Sequence, residues 1–253
     1  MASFDLSGRL ALITGSSQGI GRSLARAVGA AGARVVLNGR SEARLAAAAD
    51  ELRVLGVETE TSVCDVTDAK AAAAAADRIE RDIGAIDILV NNAGIQRRAP
   101  LDQFDPAVWR ELMSTNLDGV FYVSQAVARH MLTRGRGKII NITSAQSELA
   151  RPGIAPYTAA KGAVRNLTRG MCADWAPRGL QINAIAPGYF DTPLNKALVK
   201  DADFDAWLRK RTPAGRWGRL EDLDGAVVFL ASSASDFVNG QTIHVDGGLL
   251  AVL

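Results

Sequence analysis

The sequence predicts an α/β fold, a single domain in which a parallel sheet is covered by helices on both faces. Three observations predict it. Short apolar runs alternate with helix-patterned segments along all 253 residues. The runs are near-continuously apolar, as strands buried on both faces require. No linker, charge block or repeat divides the chain.

The first strand is the run at residues 10–14, which ends in a glycine turn, and a helix over 19–31 follows it. A second strand at 34–38 leads to a helix over 41–55, with Ser41 placed to cap it. A third strand at 58–63 precedes a helix over 68–83. Thr67 or Asp68 caps that helix, and its alanine run suits it, because alanine is the best helix former. The fourth strand, 86–91, is followed by one long helix over 106–133. A fifth strand at 138–142, a helix over 156–176 and a sixth strand at 181–186 continue the alternation. Residues 189–218 break it with two short helical pieces, 193–200 and 203–211. An insertion at the carboxyl end of a strand is where a mobile substrate lid sits. A helix over 220–232 and a strand at 241–246 close the chain.

With 48% hydrophobic residues the chain can bury a large core. A net charge of +2 gives no reason to expect a nucleic-acid partner. Cys64, Cys172, His130 and His244 are too dispersed for a metal site, so none is expected, and two isolated cysteines suit a reduced, cytoplasmic protein. The apolar run at 10–13 is too short for a signal segment or a membrane span, so neither export nor a membrane is expected.

The chemistry begins at the first turn. Gly15, Gly19 and Gly21 follow a strand and open a helix, so backbone amides there can approach a pyrophosphate that the helix N-terminus attracts. The spacing is G-x-x-x-G-x-G rather than the common G-x-G-x-x-G. The turn offers Gly15, Ser17, Gln18, Gly19 and Ile20 to a dinucleotide. Past the second strand stands Arg40, with no acid for a ribose 2′-hydroxyl. A guanidinium there can hold a 2′-phosphate, which favours NADP, with NAD possible. A solvated loop arginine is the plain alternative.

Tyr157 and Lys161 are four residues apart on a helix and share one face. At about 4 Å and an effective dielectric of about 20, a neighbouring ammonium favours the phenolate by about 4 kcal/mol, or about 3 pKa units. That tuning would make Tyr157 a general acid/base for an alcohol or ketone. Ser144 and Asn116 have plain readings as a turn hydroxyl and an interior helix polar group.

Taken together, Thr14–Gly21, Cys64-Asp65-Val66, Asn91-Asn92-Ala93-Gly94, Asn116, Ser144, Tyr157 with Lys161, and Pro187-Gly188 through Thr192 resemble the short-chain dehydrogenase/reductase family over nearly the whole chain. The resemblance implies a Rossmann-like, doubly wound sheet of seven strands and a homotetramer. It implies that Asp65 meets the adenine with Val66 beside it, that Asn92, Ala93 and Gly94 line the cofactor channel, and that Thr192 reaches the nicotinamide amide. Pro187, Gly188 and Phe190 belong to the same cofactor site, as do Tyr157 and Lys161. Asn116, Ser144, Tyr157 and Lys161 become a catalytic set. Ser144 holds the substrate oxygen, Lys161 holds the nicotinamide ribose and lowers the tyrosine pKa, and Asn116 holds a water that links Lys161 to solvent.

The loops at 94–100, 145–149, 188–190, 211–218 and 235–240 resemble the gluconate 5-dehydrogenase group within that family. A sugar-acid substrate needs a cation, and Arg98, ahead of Arg97, is the expected carboxylate partner. Gln146 joins Ser144 and Tyr157 in the substrate site, and Glu148 and Arg151 are candidates for sugar hydroxyls. Tyr189 and Trp217 pack the substrate or make core or subunit contacts. Reduction of 3-oxoacyl groups on acyl carrier protein, with Arg165 and Arg169 as a docking patch, is the competing enzyme reading. A dinucleotide sensor without catalysis is the third. His130 and His244 are read as structural, 129–138 as a solvated helix end, and the apolar tail as a subunit contact.

Overall fold

The computed structural model describes residues 3–253. Seven parallel strands form one sheet in the order β3-β2-β1-β4-β5-β6-β7. They are β1 (Leu10–Ile13), β2 (Arg34–Gly39), β3 (Thr59–Val63), β4 (Ile86–Asn91), β5 (Gly137–Ile142), β6 (Leu180–Pro187) and β7 (Thr242–Val245). Side chains alternate across a pleated strand, and β1 shows why both faces had to be apolar. Ala11 and Ile13 enter one core cluster, whereas Leu10 and Leu12 enter the other. The first cluster lies beneath α1 (Gly19–Ala30), α2 (Glu42–Val54) and, further along the chain, the helix at Asp224–Ala231. Beneath the second lie α3 (Ala69–Asp82) and the two long helices that follow β4 and β5. The edge strands depart from the continuous apolar pattern. Three of the five residues of β3 are exposed, and β7 is only partly buried, because an edge strand is covered less completely.

The expected caps form. Ser41 Oγ accepts the Arg44 amide at 3.4 Å, and the Asp68 carboxylate accepts the amides of Lys70 and Ala71. The long helix expected at 106–133 is interrupted. It runs as α4 (Pro106–Met113), then a π-helical turn at Ser114–Asp118, then α5 (Gly119–Arg134). Such turns interrupt the helical ladder and often occur at functional sites. This one carries Asn116.

The solvated helix end read at 129–138 holds for the exposed Arg129 and Arg136 but not for Arg134 and Lys138. The Arg134 guanidinium, only 24% exposed, donates to both Glu80 carboxylate oxygens and to the Ile86 carbonyl. Lys138 donates to Asp236 at 2.6 Å. Arg134 thus fastens α3 to the sheet, and Lys138 fastens β5 to the turn at Asp236.

After β5, α6 (Ala155–Trp175) carries Tyr157 and Lys161, and after β6 come α7 (Lys196–Val199) and α8 (Ala202–Arg211), close to the two pieces expected there. The expected 220–232 helix is a 3-10 turn over Leu220–Leu223 followed by α9 (Asp224–Ala231). Strand order reverses between β1 and β4, and open α/β sheets bind ligands at the carboxyl ends of strands at such a switch point. The glycine turn leaves β1 there, and Asn92–Gly94 leaves β4 beside it.

Candidate active site

A cleft of about 480 Å³ lies at this switch point. The glycine turn forms one wall, and its glycines have distinct reasons. Gly15 has φ +62°, and a Cβ on it would stand 2.7 Å from the Ala93 Cα. A Cβ on Gly21 would meet Asn92 Nδ2 at 2.4 Å and the Gly15 carbonyl at 2.5 Å. At both positions the turn packs too closely against its own backbone and the Asn92–Ala93 turn to admit a side chain. Thr14 fastens this turn to the next. Its Oγ1 accepts the amides of Asn92 and Ala93, and Asn92 Nδ2 donates to the carbonyls of Thr14 and Gly15, all at 3.0 Å.

All the residues read as cofactor contacts line the cleft: Gly15, Ser17, Gln18, Gly19 and Ile20 from the glycine turn, then Arg40, Asp65, Val66, Asn92, Ala93 and Gly94, with Pro187, Gly188, Phe190 and Thr192 from the sixth strand onward. Arg40 Nη1 lies 3.7 Å from Asp65, and both remain partly open to water. Burial acts against the Asp65 charge. The amide and hydroxyl of Thr67, with Arg40, outweigh it and hold the carboxyl below its usual range. Arg44 and Ser41 also line this end and were missed. A second arginine one helical turn after Arg40, at the start of α2, is the signal that would have found Arg44. The cradle without side chains, the N-terminus of α1 and the arginines at the far end fit a phosphorylated dinucleotide.

Asn116, Ser144, Tyr157 and Lys161 converge although β5 and two helices separate them in sequence. Ser144, Tyr157 and Lys161 line the cleft, and Asn116 is completely buried behind it. A Cβ on Gly94 would stand 3.3 Å from Asn116 Oδ1 and 3.8 Å from Lys161 Nζ, so turn, amide and ammonium meet. Asn116 Nδ2 donates to the Ile95 carbonyl at 2.8 Å, and its Oδ1 accepts the Ile95 amide at 2.7 Å. Both ends of the side-chain amide are occupied. It fastens the loop after β4 to the interrupted helix.

The electrostatics also differ from the isolated Tyr–Lys pair. Lys161 Nζ sits 5.8 Å from the Tyr157 ring centroid and donates to the Ile142 carbonyl at 2.7 Å. Burial lowers its pKa from 10.5 to about 8. Burial likewise pushes the Tyr157 phenol up, with Ser144 beside it and the Arg98 charge pulling the other way. Desolvation of the neutral-favouring site exceeds the Coulomb gain that helical spacing alone suggests.

At the substrate end, Arg97 and Arg98 differ. Both line the cleft with Gln146, Arg151 and Tyr189, but Arg97 is paired to Glu111 at 2.7 Å, whereas Arg98 forms no ion pair among the described residues. Gln146 is buried and donates from Nε2 to the Tyr189 hydroxyl at 3.2 Å. Glu148 was read as a sugar contact, but it lies outside the cleft, ion-paired to Arg165 and 3.9 Å from His244. Trp217 lies outside it as well, buried against Tyr189 and Phe204, and donates from Nε1 to Asp205 at 2.6 Å. His130 bonds Asp77 at the surface. Among the described residues no cluster suits a metal ion, and no helix is long and apolar enough to cross a membrane.

A family model described as enoyl-(acyl carrier protein) reductase matches residues 15–250. Gluconate 5-dehydrogenase of Gluconobacter oxydans (strain 621H) is 60% identical over 250 residues, 99% of this chain and 98% of the relative. The 5-keto-D-gluconate 5-reductase of Escherichia coli (strain K12) is 52% identical over the same shares. Among solved structures, a gluconate 5-dehydrogenase from Burkholderia cenocepacia J2315 in complex with NADP and tartrate superposes with TM-score 0.97 at 62% identity, covering 99% of this chain and 98% of that one.

Proposed function

Since the chain belongs to the short-chain dehydrogenase/reductase family, we propose that it is an NADP-preferring oxidoreductase interconverting D-gluconate and 5-keto-D-gluconate. One observation carries the substrate reading. A guanidinium without an acidic partner among the described residues, Arg98, lines the same cleft as the Tyr157 phenol. The full-length similarity to gluconate 5-dehydrogenases supports it.

The cofactor, when bound, would supply a hydride as NADPH to the ketone carbon, or as oxidised NADP accept one from the alcohol carbon, at the nicotinamide. The glycine turn, Asp65, Asn92 to Gly94 and Thr192 would hold it, with Arg40 toward the 2′-phosphate. Tyr157, kept protonated by burial, donates its proton to the carbonyl oxygen as negative charge builds there, and as phenolate takes a hydroxyl proton in the reverse direction. Ser144 donates to the same oxygen and stabilises the developing alkoxide. Its Oγ is positioned by the Gln146 amide at 3.1 Å. Lys161 places positive charge behind the phenol, and Asn116 holds the Ile95 loop that frames it. Arg98 takes the substrate carboxylate, with Gln146 toward hydroxyls. Residues 189–218 form the lid.

The acyl-carrier reading is disfavoured by polar walls at Arg98, Arg151 and Gln146, and Arg165 of its docking patch is bound to Glu148. A homotetramer is inferred from the family and from Val252 and Leu253, which stand exposed on the protomer. A cytoplasmic setting agrees with two unpaired thiols.

The test is a panel of gluconate, 5-keto-D-gluconate, neutral polyols and an acetoacetyl thioester with both cofactors, repeated with Tyr157→Phe. Turnover of the sugar acids should dominate and vanish in the variant, which should still bind NADPH. Near-normal kcat in Tyr157→Phe would remove the mechanism, and preference for the thioester would remove the substrate.

A further inference from the structure

Two loops meet at the substrate end of the cleft. The Ala99 amide donates to the Gly153 carbonyl at 3.2 Å, tying the segment of Arg98 to that of Arg151. Both guanidiniums line the cleft, and among the described residues neither has an acid within ion-pair distance. They are close enough for the Arg151 charge to depress the Arg98 pKa, after burial the largest influence on it. Like charges held together by a backbone bond are a standing repulsion, which an anion between them relieves.

Arg151 has two further features. Its Nε is buried without a hydrogen-bond partner, an unmet donor in a partly buried site. Its guanidinium carbon lies 5.4 Å over the ring of Phe204, on α8 of the lid. Phe204 in turn packs 5.4 Å from Tyr189 and 6.1 Å from Trp217. Charge at the substrate end is thus seated directly on the aromatic cluster of the lid.

We propose that Arg151 is a specificity-determining second cation, clamping the substrate carboxylate with Arg98 and joining it to the lid through Phe204. This rests on the sugar-acid reading of the cleft and deepens it. The carboxylate gives each guanidinium an anionic partner and quenches their repulsion. The lid is then held by the acid group of the substrate. A neutral polyol of the same shape leaves the repulsion in place, so the selection is for charge rather than length.

The experiment compares D-gluconate with near-isosteric, uncharged D-gluconamide in the NADP-loaded enzyme, gluconamide being read as a competitive inhibitor where it is not turned over. In Arg151→Met, preference for the acid over the amide should fall at least tenfold, mainly through KM for gluconate. Arg151→Lys should restore part of it, and NADPH affinity should not move. Phe204→Leu, at a residue that supports Arg151 from behind without itself lining the cleft, should lower the same preference more weakly. Equal losses for acid and amide, or unchanged preference in Arg151→Met, would overturn the clamp while leaving the gluconate reading intact. If the wild type acts on neither gluconate nor 5-keto-D-gluconate, the parent reading fails instead.

Discussion

Replacing Lys161 by methionine takes a buried ammonium out of the protein while keeping most of its stem. The side chain is 4% exposed, and burial lowers its pKa from 10.5 to about 8. That fall corresponds to about 3 kcal/mol against the charged form at neutral pH. Losing the hydrogen bond to the Ile142 carbonyl costs about 1.5–3 kcal/mol in return. Lys161→Met should therefore be as stable as the wild type at pH 7, or up to about 2 kcal/mol more stable. The pH dependence carries the sharper sign. Between the folded pKa near 8 and the unfolded value of 10.5, the unfolded chain binds more protons at this site, so stability rises with pH across that window. Integrated from about pH 7 to about pH 9.5, the gain is about 2 kcal/mol. Urea unfolding of both proteins at fixed concentration measures it, and taking the difference cancels the raised pKa of Cys64 and Tyr157, which act the other way as pH increases. A difference that stays flat with pH, or a variant that loses more than about 2 kcal/mol at pH 7, would refute an ammonium penalised by burial.

Arg40→Ala should lower kcat/KM with NADP about tenfold, about 1.4 kcal/mol, while that with NAD changes little. Steady-state kinetics with both cofactors decides this, and an unaltered ratio would return Arg40 to a solvated loop residue. Gly21→Ala sits in a helix, where alanine ordinarily stabilises by about 1 kcal/mol. Here the new Cβ would be driven into Asn92 Nδ2 and the Gly15 carbonyl, so a loss of about 1–3 kcal/mol is expected, with weaker NADPH binding. A melting temperature at or above wild type would show that the turn yields.

The sequence alone determined the parts that follow from local spacing. The alternation of short extended runs with helix-patterned segments located all seven strands to within a residue or two, the inner ones as apolar runs. The glycine spacing after β1 and the four-residue interval between Tyr157 and Lys161 located both walls of the cleft, because these are consequences of backbone geometry over a few residues. Tertiary structure decided what depends on residues distant in the chain. The π-helical turn at Asn116 arises where its amide is bonded on both ends by Ile95, twenty-one residues earlier. Both arginines line the cleft, but Arg97 is neutralised by Glu111 while Arg98 has no acidic partner among the described residues, a distinction that two adjacent arginines cannot show. Charge at the catalytic pair was likewise beyond local reasoning. A tyrosine and a lysine one helical turn apart suggest mutual attraction in water-like surroundings, but the cost of burying each charge is set by everything packed around them.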